Sequence, residues 1–212
     1  MIEIILIPHD GIEIQNAGKI SFGQTPDMVE KILGAPDSRH LSYIGNGVTK
    51  GLTLFYDPVH GRVPSGVTFT NNENHYYFDS QLLIGFDADK KVEFIASNGL
   101  FSNKIRTMIY DTDFFSLPAD EAIEFLEKRN NGRIAYESPD GSISKKSLYF
   151  LELGVSLWRE MDEADAEESI REAINSGIYE SAKESYDNEA RKARYFESIG
   201  IGKKGYYPFV LV

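Results

Sequence analysis

Residues 23–36 read Gly23-Gln24-Thr25-Pro26-Asp27-Met28-Val29-Glu30-Lys31-Ile32-Leu33-Gly34-Ala35-Pro36, and this stretch decides the fold class. Thr25 stands where a helix cap belongs, Pro26 suits the first helical position, and Asp27 complements the positive end of the helix dipole. Gly34 and Pro36 stop the helix, which leaves Val29, Ile32 and Leu33 as one apolar face. A helix this short does not stand alone in water, so that face needs a sheet to lie on.

The flanks supply strands. Upstream, residues 1–8 (Met-Ile-Glu-Ile-Ile-Leu-Ile-Pro) read as a buried strand, His9-Asp10-Gly11 as a turn, and Ile12-Glu13-Ile14 as the returning strand of a hairpin. Downstream, residues 52–56, 67–69, 81–86 and 92–95 read as strands, the last two joined by the polar connection 87–91 into an antiparallel hairpin. The plan then recurs: a strand at 105–110, a helix opening at Ser116-Leu117-Pro118-Ala119-Asp120-Glu121 with Ala122, Ile123, Phe125 and Leu126 inward, and strands at 133–136, 148–151 and 155–158 around a turn at 138–141. Beyond Glu160 the apolar spacing turns helical up to Phe196, broken at Gly177, and the apolar tail 200–212 reads as a final strand.

The fold expected is therefore α+β. It is read as two tandem units of short helix on antiparallel meander, residues 1–99 and 100–212, with an acidic helical insertion at about 160–198 in the second. Whether the two sheets merge, and whether the halves share one core, stays open at this point.

Net charge is −11 over 212 residues, and it is concentrated. Between Glu160 and Glu189 eleven acids stand against two bases, a local net charge of −9. Such a field repels phosphate backbones and anionic lipid and steers a basic partner inward, so nucleic acid and membrane are disfavoured as partners. With no cysteine there is no disulfide framework and no thiolate chemistry, which together with an acid at position 3 in place of a basic leader suggests the cytoplasm. No run of about 18 apolar residues is present for a spanning helix.

Catalytic motifs are lacking. His9, His40, His60 and His75 are scattered without metal-ligand spacing and read as surface or turn residues. Gly200-x-Gly202-x-x-Gly205 has the spacing of a dinucleotide loop but follows a helix and precedes Tyr-Tyr-Pro, so it reads as a bend before the last strand. No Gly-x-Ser-x-Gly elbow occurs, and no catalytic residue, metal ligand or cofactor is assigned. The candidate residues are instead contacts for a basic protein partner: Trp158, the acids Glu160, Asp162, Glu163, Asp165, Glu167 and Glu168, and the aromatic pair Tyr206 and Tyr207, since aromatic residues supply rigid contact area. An enzyme acting on a small molecule or carbohydrate, its carboxylates converging only in three dimensions, and a structural homo-oligomeric module are the alternatives.

Two stretches carry resemblances. The pattern Gly23-x-Thr25-x-x-x-Val29-x-x-x-Leu33-Gly34-x-Pro36, followed by short strands, resembles the helix opening of the β-lactamase-inhibitor-protein-like fold, also found in small outer-membrane assembly lipoproteins. That resemblance implies helices packed on a small antiparallel sheet, with two such units in tandem in the inhibitors, although this chain lacks their secretion signal and disulfides. The stretches Leu157-Trp158-Arg159-Glu160 and 200–207 are similar to a group of bacterial proteins, which implies a bacterial source and transfers no functional residues. The function expected is that of a non-enzymatic cytoplasmic binding module, such as an immunity-type inhibitor of a basic toxin or nuclease.

Overall fold

The structure is a computed structural model that describes residues 1–45, 69–132, 134–136 and 146–206. The strands expected at 52–56 and 67–68, the turn at 138–141, His60 and Tyr207 lie outside the described residues.

The chain folds as α+β. Strands β1 (Ile2–Ile7), β2 (Gly11–Ile14) and β3 (Gly18–Ser21) form a meander, and helix α1 (Pro26–Leu33) follows it. Then come β4 (Ser38–Gly45), β5 (Phe69–Tyr77), β6 (Leu82–Phe86), β7 (Val92–Ser97), β8 (Ile105–Ile109) and β9 (Thr112–Asp113). Helix α2 (Ala119–Glu127) precedes β10 (Ile134–Tyr136), β11 (Ser147–Phe150) and β12 (Val155–Trp158), and helices α3 (Glu163–Asn175) and α4 (Lys183–Ala193) lead to β13 (Ser198–Gly202).

Two sheets result, of strand order β3-β2-β1-β8-β9 and β10-β11-β12-β13-β7-β6-β5-β4. Each takes strands from both sides of residue 99: β1 pairs with β8 in parallel, and β13 lies antiparallel between β12 and β7. The two stretches 1–99 and 100–212 are thus hydrogen-bonded together in both sheets. A single cluster of buried residues runs through them, with Ile4, Leu6, Ile12 and Ile105 from the smaller sheet, Ile84, Phe86, Phe150, Val155 and Ile199 from the larger, Val29 from α1 and Leu126 from α2. At roughly 25 cal/mol per Å² of apolar area, burial of this kind is the main favourable term in folding.

The helix that opens the reading is present, with Thr25 at its N-cap and Pro26 in its first turn, but the Thr25 side chain makes no capping hydrogen bond. Val29 is fully buried, and Ile32 and Leu33 pack against the core. At α2 the expected opening is corrected: Pro118 holds the N-cap position, and the Ser116 hydroxyl donates to the Asp113 carbonyl in the preceding 3-10 turn.

The last strand is also corrected, because Gly200 and Gly202 lie inside β13 and not in a bend before it. A Cβ on Gly200 would come within 2.6 Å of the Phe94 ring and 2.7 Å of the Ser156 hydroxyl, and one on Gly202 within 2.6 Å of Tyr206. Close packing of aromatic rings over this strand, and not turn-forming freedom, accounts for its glycines.

Trp158 pairs with Ser198, so α3 and α4 are a helical excursion from one antiparallel strand pair. Its neck is well tied. The Glu197 N–H donates to the Trp158 carbonyl at 2.9 Å, the Glu160 N–H to the Glu197 carboxylate at 2.9 Å, and buried Arg159 to the Ala193 carbonyl at 2.9 Å while lying 5.1 Å over the Phe196 ring.

Candidate functional site

The acids of the excursion divide into two groups. Asp162 caps α3 by accepting from the Asp165 N–H at 3.1 Å, and Asp165 returns the bond from the Asp162 N–H at 3.1 Å, a capping box that satisfies two otherwise orphaned donors. Asp165 also meets Lys146 at 2.7 Å, and Glu163 meets Arg194 at 3.7 Å. Burial alone would raise the Asp165 carboxyl, but the bonds from Lys146 and the Asp162 N–H hold it below its ordinary value. These first-turn acids surround the buried Arg159 guanidinium and serve the fold. Glu160 is exposed, and Glu167 and Glu168 are exposed on α3 without an ion-pair partner among the described residues.

At the end of the same helix and just past it lie two exposed apolar side chains. Ile174 is 56% exposed and Ile178, four residues on, is 49% exposed. Ala166 and Ala173 make the buried contacts of α3, so helical periodicity turns Ile174 outward on the side of Glu167, as each directly follows one of these alanines. The excursion itself is braced. The Tyr179 hydroxyl and the Lys183 ammonium both donate to Asp187, at 2.8 and 2.7 Å.

Trp158 sits elsewhere on the neck, 48% exposed. It lines a groove of about 250 Å³ with Asn98, Leu100, Phe101, Lys192 and Glu197. Phe101 is half-exposed, its ring 5.8 Å from Tyr195 and 4.6 Å from the Arg191 guanidinium. Nothing in the sequence marked Phe101, which falls in the loop between β7 and β8.

Tyr206 does not join this region. It stacks on Phe94 at 5.0 Å over Gly202, at the far end of β13 from the Ser198 that pairs with Trp158, about 13 Å away at ~3.3 Å per residue. Burial raises its phenol well above the ordinary value.

The histidine reading is corrected at one position. His9, in a turn at φ +64°, and His40 are exposed as expected, but His75 is fully buried. Strand alternation puts His75 and Tyr77 on the inner face of β5, where His75 lies edge-on to Phe86 at 4.8 Å. Its Nε2 is 2.8 Å from Glu73 and its Nδ1 3.8 Å from Glu30, carboxylates that also hold Lys90 and Arg39 at 2.7 and 2.8 Å. The arrangement fastens α1 to β5. Burial, reinforced by Glu30, pushes the Tyr77 phenol up to about 12. Among the described residues, no three acidic or histidine groups are placed to hold a metal ion, and no helix is long and apolar enough to cross a membrane.

Compared with known proteins, the chain matches no protein-family model, no curated protein and no solved structure.

Proposed function

We propose that the protein is a non-enzymatic binding module of the cytoplasm that docks a basic protein partner on the outer face of α3, in the manner of an immunity-type inhibitor. The observation that carries this reading is the placement of half-exposed Ile174 on the helix that also bears the free carboxylates of Glu167 and Glu168, with half-exposed Ile178 just past the end of that helix. Protein interfaces combine an apolar centre with a charged rim in this way, and the charge steers the encounter while the apolar contact holds it. The helix-then-strand order behind the resemblance to β-lactamase-inhibitor-like proteins supports the same class of function, and the lack of cysteine supports a reducing compartment.

The test compares capture from a bacterial lysate by the intact chain and by two exposed-surface variants, Ile174→Ser/Ile178→Ser and Glu167→Lys/Glu168→Lys. A basic protein retained by the intact chain and released by both variants is the expected result, with an on-rate that falls steeply between low and physiological salt. Proteins retained equally by all three chains, or an association indifferent to salt, would refute the reading.

A further inference from the structure

The chain contains three Asn-Gly pairs, at 46–47, 98–99 and 131–132. In such a pair the backbone nitrogen of the glycine can attack the carboxamide carbon of the asparagine, because no side chain on the following residue stands in the way. The reaction needs a carboxamide free to turn onto the backbone and a glycine N–H free of other bonds, so the fold decides which pair reacts. Asn46 and Gly47 lie outside the described residues, and the other two pairs differ in every one of these respects.

Asn98 is held in place. Its N–H donates to the Gln81 carbonyl at 2.8 Å and its carboxamide to the Ser80 carbonyl at 3.2 Å, while Gly99 is buried with its Cβ position 2.8 Å from the Phe115 ring. Asn131 is exposed just past α2, and neither its carboxamide nor the Gly132 N–H has a hydrogen-bond partner among the described residues. Packing accounts for the glycine here, since a Cβ on residue 132 would stand 2.2 Å from Cγ of Glu152. The close approach that keeps out a larger residue also keeps the reactive pair in the chain.

The residue before the pair gives the reaction a consequence. Asn130 is only 6% exposed, and its carboxamide ties the end of α2 to the turn from β11 to β12. Its Oδ1 accepts from the Glu152 and Leu153 N–H groups at 3.1 and 3.3 Å, and its Nδ2 donates to the Gly132 carbonyl at 3.2 Å. Asn131 is the one residue between the two ends of that last bond.

We infer that Asn131 is a self-modification site whose product loosens the tie between α2 and the β11–β12 turn. The Gly132 nitrogen bonds to Cγ of Asn131, the Cγ–Nδ2 bond breaks, and the displaced amide leaves as ammonia with the proton from the Gly132 nitrogen. Water then opens the succinimide ring at one of its two carbonyls, which gives aspartate or isoaspartate at position 131. Isoaspartate carries the main chain through its side chain and adds one carbon between Asn130 and Gly132, so the bond between those two loses its span. Either product adds a negative charge one residue from the glycine that Glu152 covers. The inference stands without the docking proposed for α3.

The experiment ages the intact protein in mildly alkaline buffer, folded and in urea, and digests it after lysine at intervals, which places Asn46, Asn98 and Asn131 in separate peptides for mass spectrometry. In the folded chain Asn131 loses ammonia at least about tenfold faster than Asn98, and in urea the two rates converge. Chromatography by charge isolates the isoaspartyl form, whose Glu152 and Leu153 amides exchange hydrogen at least about tenfold faster than in the fresh chain. Asn131→Gln, aged in parallel, keeps the protection of the fresh chain at both amides. Equal rates at Asn131 and Asn98 in the folded chain, a gap that persists undiminished in urea, or unchanged exchange at Glu152 and Leu153 in the isoaspartyl form would each overturn the inference.

Discussion

The hydroxyl oxygens of Ser97 on β7 and Thr107 on β8 lie 2.6 Å apart, a buried hydrogen bond that joins the two sheets. Thr107→Val keeps the shape and leaves the Ser97 hydroxyl unpaired among apolar groups, at an expected loss of about 1–3 kcal/mol. Ser97→Ala/Thr107→Val removes both partners, and its urea midpoint lies closer to that of the parent than the two single changes summed.

Gly200→Ala places a methyl group against Phe94 in the middle of the larger sheet. Overpacking of that kind costs about 1–3 kcal/mol, read as a lower thermal midpoint. Phe94→Leu in the same chain restores part of the loss, because it withdraws the ring atoms that the new methyl group meets.

The hydrogen bonds around Glu73 imply a pH dependence with a definite sign. Burial by itself would raise this carboxyl, but Lys90 and His75 hold it below its ordinary value of 4.5. A carboxyl lowered in the folded chain contributes stability that is present above its unfolded pKa and is lost as pH falls through the folded one. Glu73→Gln is therefore less stable than the parent at pH 7, by about 1 kcal/mol. Urea titrations at falling pH show the two chains converging below about pH 4.

Asp162→Ala removes the cap of α3 and costs about 0.5–2 kcal/mol, whereas Asp162→Asn keeps the accepting oxygen and loses less. Because Asp162 also faces the buried Arg159 charge, the asparagine chain remains measurably below the parent. Hydrogen exchange across α3 separates this local loosening from global unfolding.

Local signals were legible in the sequence, and partner choice was not. The Pro26-to-Gly34 punctuation of α1 and the hairpin of β6 and β7 rest on neighbouring residues, and both are present. That β1 lies parallel to β8, or that β13 enters between β12 and β7, depends on contacts about 100 residues apart, which no local pattern records. Inside the site, Trp158 was readable as a lone large aromatic at a strand end. Phe101 was not, because its exposure follows from a left-handed backbone in a loop without glycine at that position. His75 escaped notice because the β5 residues before it, Thr70 to Asn74, are all polar, whereas in the fold it lies buried against Phe86.

The position of β13 has a consequence for biosynthesis. Its residues 198–202 are the wedge between β7 and β12, strands that leave the ribosome well before it. Until it arrives, both wait with an open edge, the kind of surface on which nascent chains recruit chaperones or stick to one another. The whole excursion of α3 and α4 must be translated in that interval, so ribosome pausing within it would lengthen the time those edges stay open.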